Sequence, residues 1–183
     1  MAKTVSTRLT GVIAVALLTT LLSACADSSG GAPTLVETKS PVQLLRNEAA
    51  SRLPTELVKG VVKEQDGSTA CRTVETDPEG LLRSWRSVVR FELRNDAAID
   101  PQAVIDELAS SFVDDGWDQG TFGVASIIEL TRAGSETQIH ISMTNADEEA
   151  GAGGEVQLTV SGPCVMTEGA TSDEVTRLGV VSD

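Results

Sequence analysis

The chain has 183 residues, with 14 Lys and Arg against 27 Asp and Glu and a formal net charge of −13. Phosphate recognition depends on Lys and Arg, so this balance argues against nucleic acid as a partner. Anionic lipid head groups should repel the chain, so membrane attachment would need a lipid anchor. Aromatic residues make up only 3% of the chain. We therefore predict a core of Val, Leu and Ile and no carbohydrate-stacking surface.

Residues 1–24 have the organisation of a bacterial export signal. Lys3 and Arg8 form a short basic segment, and an apolar run over residues 9–22 follows it. A bilayer-spanning helix takes about 20 apolar residues, and this run is shorter. A basic flank, a short apolar core and small residues are typical of a secretory signal peptide. We expect export by the general secretory route.

The apolar run ends in Leu22-Ser23-Ala24-Cys25. This sequence resembles the bacterial lipobox, which implies that the Cys25 thiol receives a diacylglyceryl group and that cleavage occurs before it. Two acyl chains of the palmitate type hold a protein stably on a membrane, at about 0.8 kcal/mol per buried CH2. The alternatives are an ordinary signal peptide with an incidental Cys and a buried Cys in a core helix. We predict a lipoprotein on the extracytoplasmic face of the cell membrane.

Two other cysteines, Cys71 and Cys164, remain in the mature chain. An even pair in an oxidising, exported setting is typical of a disulfide. The loop it would close has roughly 90 residues, which corresponds to roughly 4–5 kcal/mol in the chain-entropy model. A reactive or metal-binding thiol pair is the less favoured alternative, because the spacing is far too long for a CxxC motif.

Residues 25–39 are rich in Ser, Gly and Ala, which indicates a flexible tether. The domain is expected to begin at Ser40. Ser40, Pro41 and Gln43 form a capping-box pattern, and the helix that they begin should end near Leu53.

A β-hairpin is predicted over residues 57–64 and 69–75. Asp66-Gly67 lies between these two segments and is a hairpin-turn signal. A helical continuation over residues 55–63 is the alternative. After Cys71, the segment 77–80 predicts a turn.

The clearest strand covers residues 85–93, where apolar and charged side chains alternate. Its expected inward face comprises Trp85, Ser87, Val89, Phe91 and Leu93.

The clearest helix opens at Asp100-Pro101, with Asp100 as N-cap and Gly116 as the expected C-cap. Its buried stripe is predicted to comprise Ile105, Leu108, Ala109 and Phe112.

Three strands are predicted in the last third of the domain. Residues 122–130 and 137–143 should form a hairpin around 132–135, and a Gly-rich acidic loop should lead to a strand over 156–160. Continued alternation would place Cys164 on the inner face of the sheet.

This order of elements indicates an α+β domain over residues 40–164. We predict two layers, with an antiparallel sheet, helices packed on one of its faces and a closing disulfide. Residues 165–183 are weakly patterned and are expected to be a frayed tail, although Val175 to Val181 could dock.

The chain resembles small uncharacterised cell-envelope lipoproteins of actinobacteria over residues 40–165. The features that carry the resemblance are Cys71 after a hairpin turn, Trp85 opening a strand, the helix 101–115 ending in Gly116-Trp117, and the closing Ser161-Gly162-Pro163-Cys164. The resemblance implies an α+β domain, a disulfide between the two cysteines and attachment to the envelope. It supplies no catalytic residues to transfer.

The sequence has none of the usual catalytic motifs, such as HExxH, GxSxG, SxxK or a P-loop. His140 is the only His, and alternation places it on the polar face of a strand. Asp147, Glu148 and Glu149 could hold calcium weakly, but their spacing is not that of a calcium loop, and a solvated loop is favoured. We predict no catalytic residue, no metal and no cofactor.

Trp85, Phe112 and Trp117 could line a small apolar pocket, although such residues more often complete a core. The function predicted is a non-enzymatic binding or interaction domain of the cell envelope, with an unidentified envelope protein or ligand as partner. The alternative is a carrier of a lipid or small apolar ligand, which would need a cavity lined by these three residues.

Overall fold

The computed structural model describes residues 32–95, 99–121, 127–145 and 154–180. The predicted export signal, Cys25 and the acidic triplet 147–149 lie outside these ranges. Within them, no helix is long and apolar enough to cross a bilayer. The helices are α1 (Leu35–Ser51), α2 (Pro101–Asp114) and α3 (Asp173–Leu178). The strands are β1 (Val58–Ala70), β2 (Leu82–Leu93), β3 (Asp118–Thr121), β4 (Ile127–Thr131), β5 (Gln138–Thr144), β6 (Glu155–Ser161) and β7 (Val165–Met166).

The strands form one antiparallel sheet in the order β1-β2-β6-β5-β4-β3, and β7 pairs with the start of β2. This arrangement confirms the predicted α+β class and the antiparallel sheet. One hydrophobic cluster joins side chains of all three helices with side chains of the strands.

The first helix begins at Leu35, not at Ser40, so the segment 34–39 does not belong to the tether. Thr34 and Glu37 form the capping box: Thr34 N–H donates to Glu37 Oε2 at 2.8 Å, and Glu37 N–H donates to Thr34 Oγ1 at 3.4 Å. Leu35 is fully buried. Because its burial adds to the core, the helix keeps this first turn and carries Pro41 in its interior.

The predicted hairpin around Asp66-Gly67 is wrong, because both residues lie inside the single long strand β1. They pair with Ser87 and Arg86 of β2. The connection between the strands is the longer segment 71–81, which contains the predicted turn at 77–80.

Arg46 of α1 explains why the chain continues straight at Asp66. Its guanidinium contacts Glu64 at 2.6 Å and Asp66 at 3.4 Å, and its Nε–H donates to Ser87 Oγ at 3.1 Å. Arg46 is only 8% exposed, and a buried charge requires such partners. The helix is thereby fixed over both β1 and β2.

The strand β2 confirms the predicted alternation, since all five expected inward residues are buried. Val88, which the pattern assigns to the charged face, is buried as well at 4% exposed. It lies between Gln65 of β1 and Thr159 of β6 in the register. Because β2 is a central strand, neighbouring strands flank Val88 at both edges. Their presence accounts for the burial of Val88 on a face that the pattern predicts to be charged.

The helix α2 matches the prediction closely. The Asp100 side chain accepts a hydrogen bond from Gln102 N–H at 2.9 Å, and Gly116 has a φ of 84° just after the helix. All four residues of the predicted stripe are buried, together with Val104. The cap and the stripe therefore define this helix from sequence alone.

The hairpin formed by β4 and β5 is confirmed, and so is β6. Ile128, Leu130, Ile139 and Ile141 are buried as their alternation predicts. The first part of the predicted strand 122–130, residues 122–126, lies outside the described ranges.

The segment after Cys164 is part of the fold and not a frayed tail. β7 pairs with β2, and α3 places Val175 in the core, fully buried. Ser68 N–H of β1 donates to Gly179 O at 2.9 Å. Val175 packs into the core and thereby holds this segment against the rest of the fold. This docking was the alternative to the predicted frayed tail.

Gly162 follows β6 directly and leaves room for α1 to pack close to it. A Cβ at this position would lie 2.9 Å from Val42 Cγ2 and 3.6 Å from Thr38 Cβ. Gly162 N–H donates to Trp85 O at 2.9 Å, so its backbone cannot move away freely.

We expect Gly162→Ala to lower the free energy of unfolding by about 1–3 kcal/mol, because the added methyl overpacks the contact with Val42. The measurement is urea unfolding. Gly60→Ala is the matched control, since a Cβ there has no neighbour within 4 Å, and it should be neutral or slightly stabilising. Equal effects of the two substitutions would show that the contact does not constrain α1.

Candidate binding site at the disulfide end of the sheet

Six strands and three connecting segments meet at one end of the sheet. β1, β4 and β6 end here, and β2, β3 and β5 begin here. The segments that project from this end are 71–81, 132–137 and 162–170. We call this region the disulfide end, because it contains both bonded cysteines.

The disulfide between Cys71 and Cys164 confirms the predicted pairing, with an S–S distance of 2.07 Å and a Cα–Cα distance of 6.2 Å. Both values are typical of a disulfide. Cys71 N–H donates to Leu82 O at 2.9 Å. The bond therefore joins the hairpin of β1 and β2 to the chain that follows β6.

Cys164 is exposed, which corrects its predicted place on the inner face of the sheet. Ser161 pairs with Arg86, whereas Val165 pairs with Arg83. The chain between Ser161 and Val165 is thus one residue longer than the opposing part of β2. This is the signature of a β-bulge. It shifts the alternation, so that Val165 turns inward and Cys164 turns outward.

The first cleft of the disulfide end, the Met166 groove, has a volume of about 390 Å³. It is lined by Arg72, Thr76, Asp77, Pro78, Glu79, Leu81, Leu82 and Met166. Met166 is 67% exposed, which is high for a large apolar side chain. The groove thus combines an apolar floor with charged residues.

Asp77 shapes the wall of the Met166 groove. Its carboxylate accepts hydrogen bonds from Leu81 N–H at 2.9 Å and from Leu82 N–H at 2.8 Å. These backbone hydrogen bonds, the one from Leu82 first, hold the pKa of the Asp77 carboxyl below its ordinary value. The carboxylate therefore has a structural role in closing the loop before β2.

The segment after β7 holds the other wall of the groove in place. Thr167 N–H donates to Leu81 O at 2.8 Å, and Ala170 N–H donates to Glu79 O at 2.9 Å. Together with the disulfide, these bonds join the two walls on either side of Met166. The groove is therefore formed by fixed backbone on both sides.

The second cleft of the disulfide end, the Ser84 cleft, has a volume of about 430 Å³. Its lining comprises Thr69, Ala70, Cys71, Ser84, Glu136, Gln138, Ser161, Gly162 and Cys164. Ser84 is only 5% exposed. The lining combines three hydroxyl side chains, one amide and the disulfide, and Glu136 is its charged side chain. The Met166 groove differs in having four large apolar residues in its lining.

The three residues predicted as a possible pocket are core residues. Trp85 is 1% exposed, Phe112 0% and Trp117 7%. The rings of Phe112 and Trp117 meet edge to face, with centroids 5.7 Å apart, a favourable aromatic arrangement. Lys39 lies 5.1 Å from the centroid of the Trp85 ring. Neither cleft of the disulfide end is lined by any of these rings.

His140 lies on the polar side of β5, as its alternation predicts, and its Nε2 is 3.5 Å from Glu129 Oε1. Within the described ranges, no group of three or more His, Cys, Asp or Glu side chains could hold a metal ion. His140 and Glu129 are cross-strand neighbours of an ordinary sheet face.

No protein-family model matches the chain, and neither a curated protein nor a solved structure matches it.

We expect Asp77→Asn to lower the melting temperature at neutral pH, because one acceptor oxygen and its charge are lost. A carboxyl with a lowered folded-state pKa stabilises the fold above its unfolded-state pKa of about 3.9 and loses that effect as the pH falls through the folded-state pKa. The difference between the proteins should therefore shrink below about pH 4. Thermal unfolding from pH 2.5 to 7 measures this. Glu79→Gln is the control in the same loop, and an equal loss with it would contradict the role of Asp77.

We expect the double substitution Cys71→Ser and Cys164→Ser to lower the free energy of unfolding by about 4–5 kcal/mol, because the unfolded chain regains the freedom of a long loop. Urea unfolding of the oxidised protein and of the double variant gives this difference. Wild-type protein kept in reductant should behave like the variant. Unchanged stability would mean that the bond does not constrain the unfolded chain.

Proposed function

We propose that this protein is a membrane-anchored extracytoplasmic lipoprotein, whose α+β domain binds a protein or another component of the cell envelope. The observation that carries the proposal is the Cys71–Cys164 bond. Stable disulfides are typical of exported proteins, and the sequence before the domain has the pattern of an export signal ending in Cys25. Its likeness to actinobacterial envelope lipoproteins is part of the same proposal.

We also propose a two-layer arrangement, with the helices packed on one face of the sheet. α1 contacts β2 and β6, and α2 contacts β3, β4, β5 and β6. Arg46 of α1 donates to Ser87, which lies on the same side of β2 as Trp85 and Val89. On this arrangement Glu129 and His140 lie on the other face of the sheet, in its part that is only partly covered.

The proposed anchor would be connected to the domain through the residues that precede Thr34. The tether joins α1 at Thr34, and the first turns of α1 lie against Gly162 at the disulfide end. The Met166 groove would therefore lie on the half of the domain nearest the attachment point.

A binding role has better support than the carrier alternative. A carrier would need an enclosed apolar cavity. Trp85, Phe112 and Trp117 are the residues predicted to line such a cavity. All three are buried in the hydrophobic cluster. The clefts of the disulfide end are instead open surface features with fixed walls, which suit a partner that docks from outside.

We expect the intact mass of the membrane-fraction protein to equal residues 25–183 plus a diacylglyceryl group, with any further acyl chain adding its own mass. Alkylation should leave Cys71 and Cys164 unmodified until reductant is added, because both sulfurs are in the disulfide. Mass spectrometry with and without reductant tests both points in one sample.

Cys25→Ser is the matched control for the anchor. It should abolish the lipid mass and release the protein from the membrane fraction, while the disulfide and the melting temperature stay unchanged. A wild-type mass without lipid would reject the anchor. Free thiols in the unreduced protein would remove the observation that supports export.

A further inference from the structure

We propose that the Met166 groove binds a basic polypeptide segment that carries one apolar side chain. The inference deepens the proposed binding role, on which it rests, by naming the chemistry of the partner.

The floor of the groove favours an apolar group. Pro78, Leu81, Leu82 and Met166 contribute its apolar lining, and Met166 is 67% exposed. A methionine side chain is flexible and polarisable, so it adapts to aliphatic partners of different shape. A volume of about 390 Å³ can receive one large aliphatic side chain with part of its backbone.

The charges around the groove favour a cation. Arg72 and Asp77 both line the groove, and their opposite charges offset one another in its net charge. Glu79 is the other acidic residue of the lining. Glu75 lies between the lining residues Arg72 and Thr76 in sequence, Glu168 follows Met166 by two residues, and both glutamates are exposed. The net charge of −13 adds a long-range attraction for basic partners.

A polypeptide fits these features better than a lipid surface or a metal ion. Anionic head groups would meet Glu79 beside an apolar lining on a chain with a net charge of −13, which is unfavourable. A metal ion would need the Asp77 oxygens, but these already accept the N–H groups of Leu81 and Leu82. Lys and Arg side chains can instead reach Glu79 from a backbone that passes over Met166.

The groove is held open before any partner arrives. Its two walls are joined by the Thr167 and Ala170 hydrogen bonds and by the disulfide at Cys71. Preformed walls reduce the entropy that binding would cost. The same rigidity makes Met166 a local reporter, because the walls should not rearrange when a ligand binds.

The test is a titration of the mature chain in non-ionic detergent, with its methionine methyl groups labelled with ¹³C. Met143 and Met166 are the only methionines after the proposed cleavage. Three capped five-residue peptides are the probes: one leucine between two pairs of lysines, one leucine between two pairs of glutamates, and one serine between two pairs of lysines. NMR follows both methyl signals.

We expect the lysine–leucine peptide alone to shift the Met166 signal, and the shift to weaken as NaCl is raised from 50 to 500 mM, because the attraction is screened. The Met143 signal should stay in place, since this residue packs against the core in β5. Glu79→Lys should weaken binding at least tenfold. Glu136→Lys makes the same charge change in the Ser84 cleft and should leave the affinity unchanged.

Several results would overturn the inference. The first is that none of the peptides shifts the Met166 signal. The second is that both leucine peptides shift it equally. The third is that phosphatidylglycerol vesicles shift it and the lysine–leucine peptide does not. Equal loss with Glu79→Lys and Glu136→Lys would reject the groove as the site. The intact-mass measurement tests the anchor separately, so a lipidated protein that ignores the peptides would reject this inference alone.

Discussion

The strand β2 has to be covered on both edges and on both faces, and most of the structure follows from that requirement. Its backbone pairs with β1 on one side and with β6 and β7 on the other. Trp85 and Val88 point to opposite faces, and both are almost fully buried. Unpaired backbone groups are costly in a buried strand. The long β1 and the bulge before β7 therefore complete the backbone pairing of β2. Arg46 holds α1 over the face of β2 that carries Trp85.

The parts of the fold that the sequence predicts are those in which one local signal has no local competitor. Alternation over β2 and the Asp100 cap of α2 are of this kind. Two patterns compete at the first helix, where Thr34–Glu37 and Ser40–Gln43 both fit a capping box, and the burial of Leu35 decides between them. Asp66-Gly67 is a turn signal by composition, but partners remote in sequence hold it extended.

The candidate site was only partly predictable, because one inserted residue controls it. The cysteine pair followed from composition and compartment, and the structure confirms the bond. The orientation of Cys164 and the exposure of Met166 depend on the bulge between Ser161 and Val165, which counting along β6 does not reveal. Gly162-Pro163 is the available signal, since both residue types are common where strand pairing is interrupted.

The disulfide has a mechanical consequence for the proposed anchor and binding role. If such an anchor pulls at Thr34 while a partner holds Met166, the covalent path between these residues runs along α1 and β1 to Cys71 and crosses the disulfide to Cys164. It reaches Met166 two residues later. The strands β2 to β6 lie in the loop that the disulfide closes, so the domain would be pulled against its partner with no tension passing along these strands.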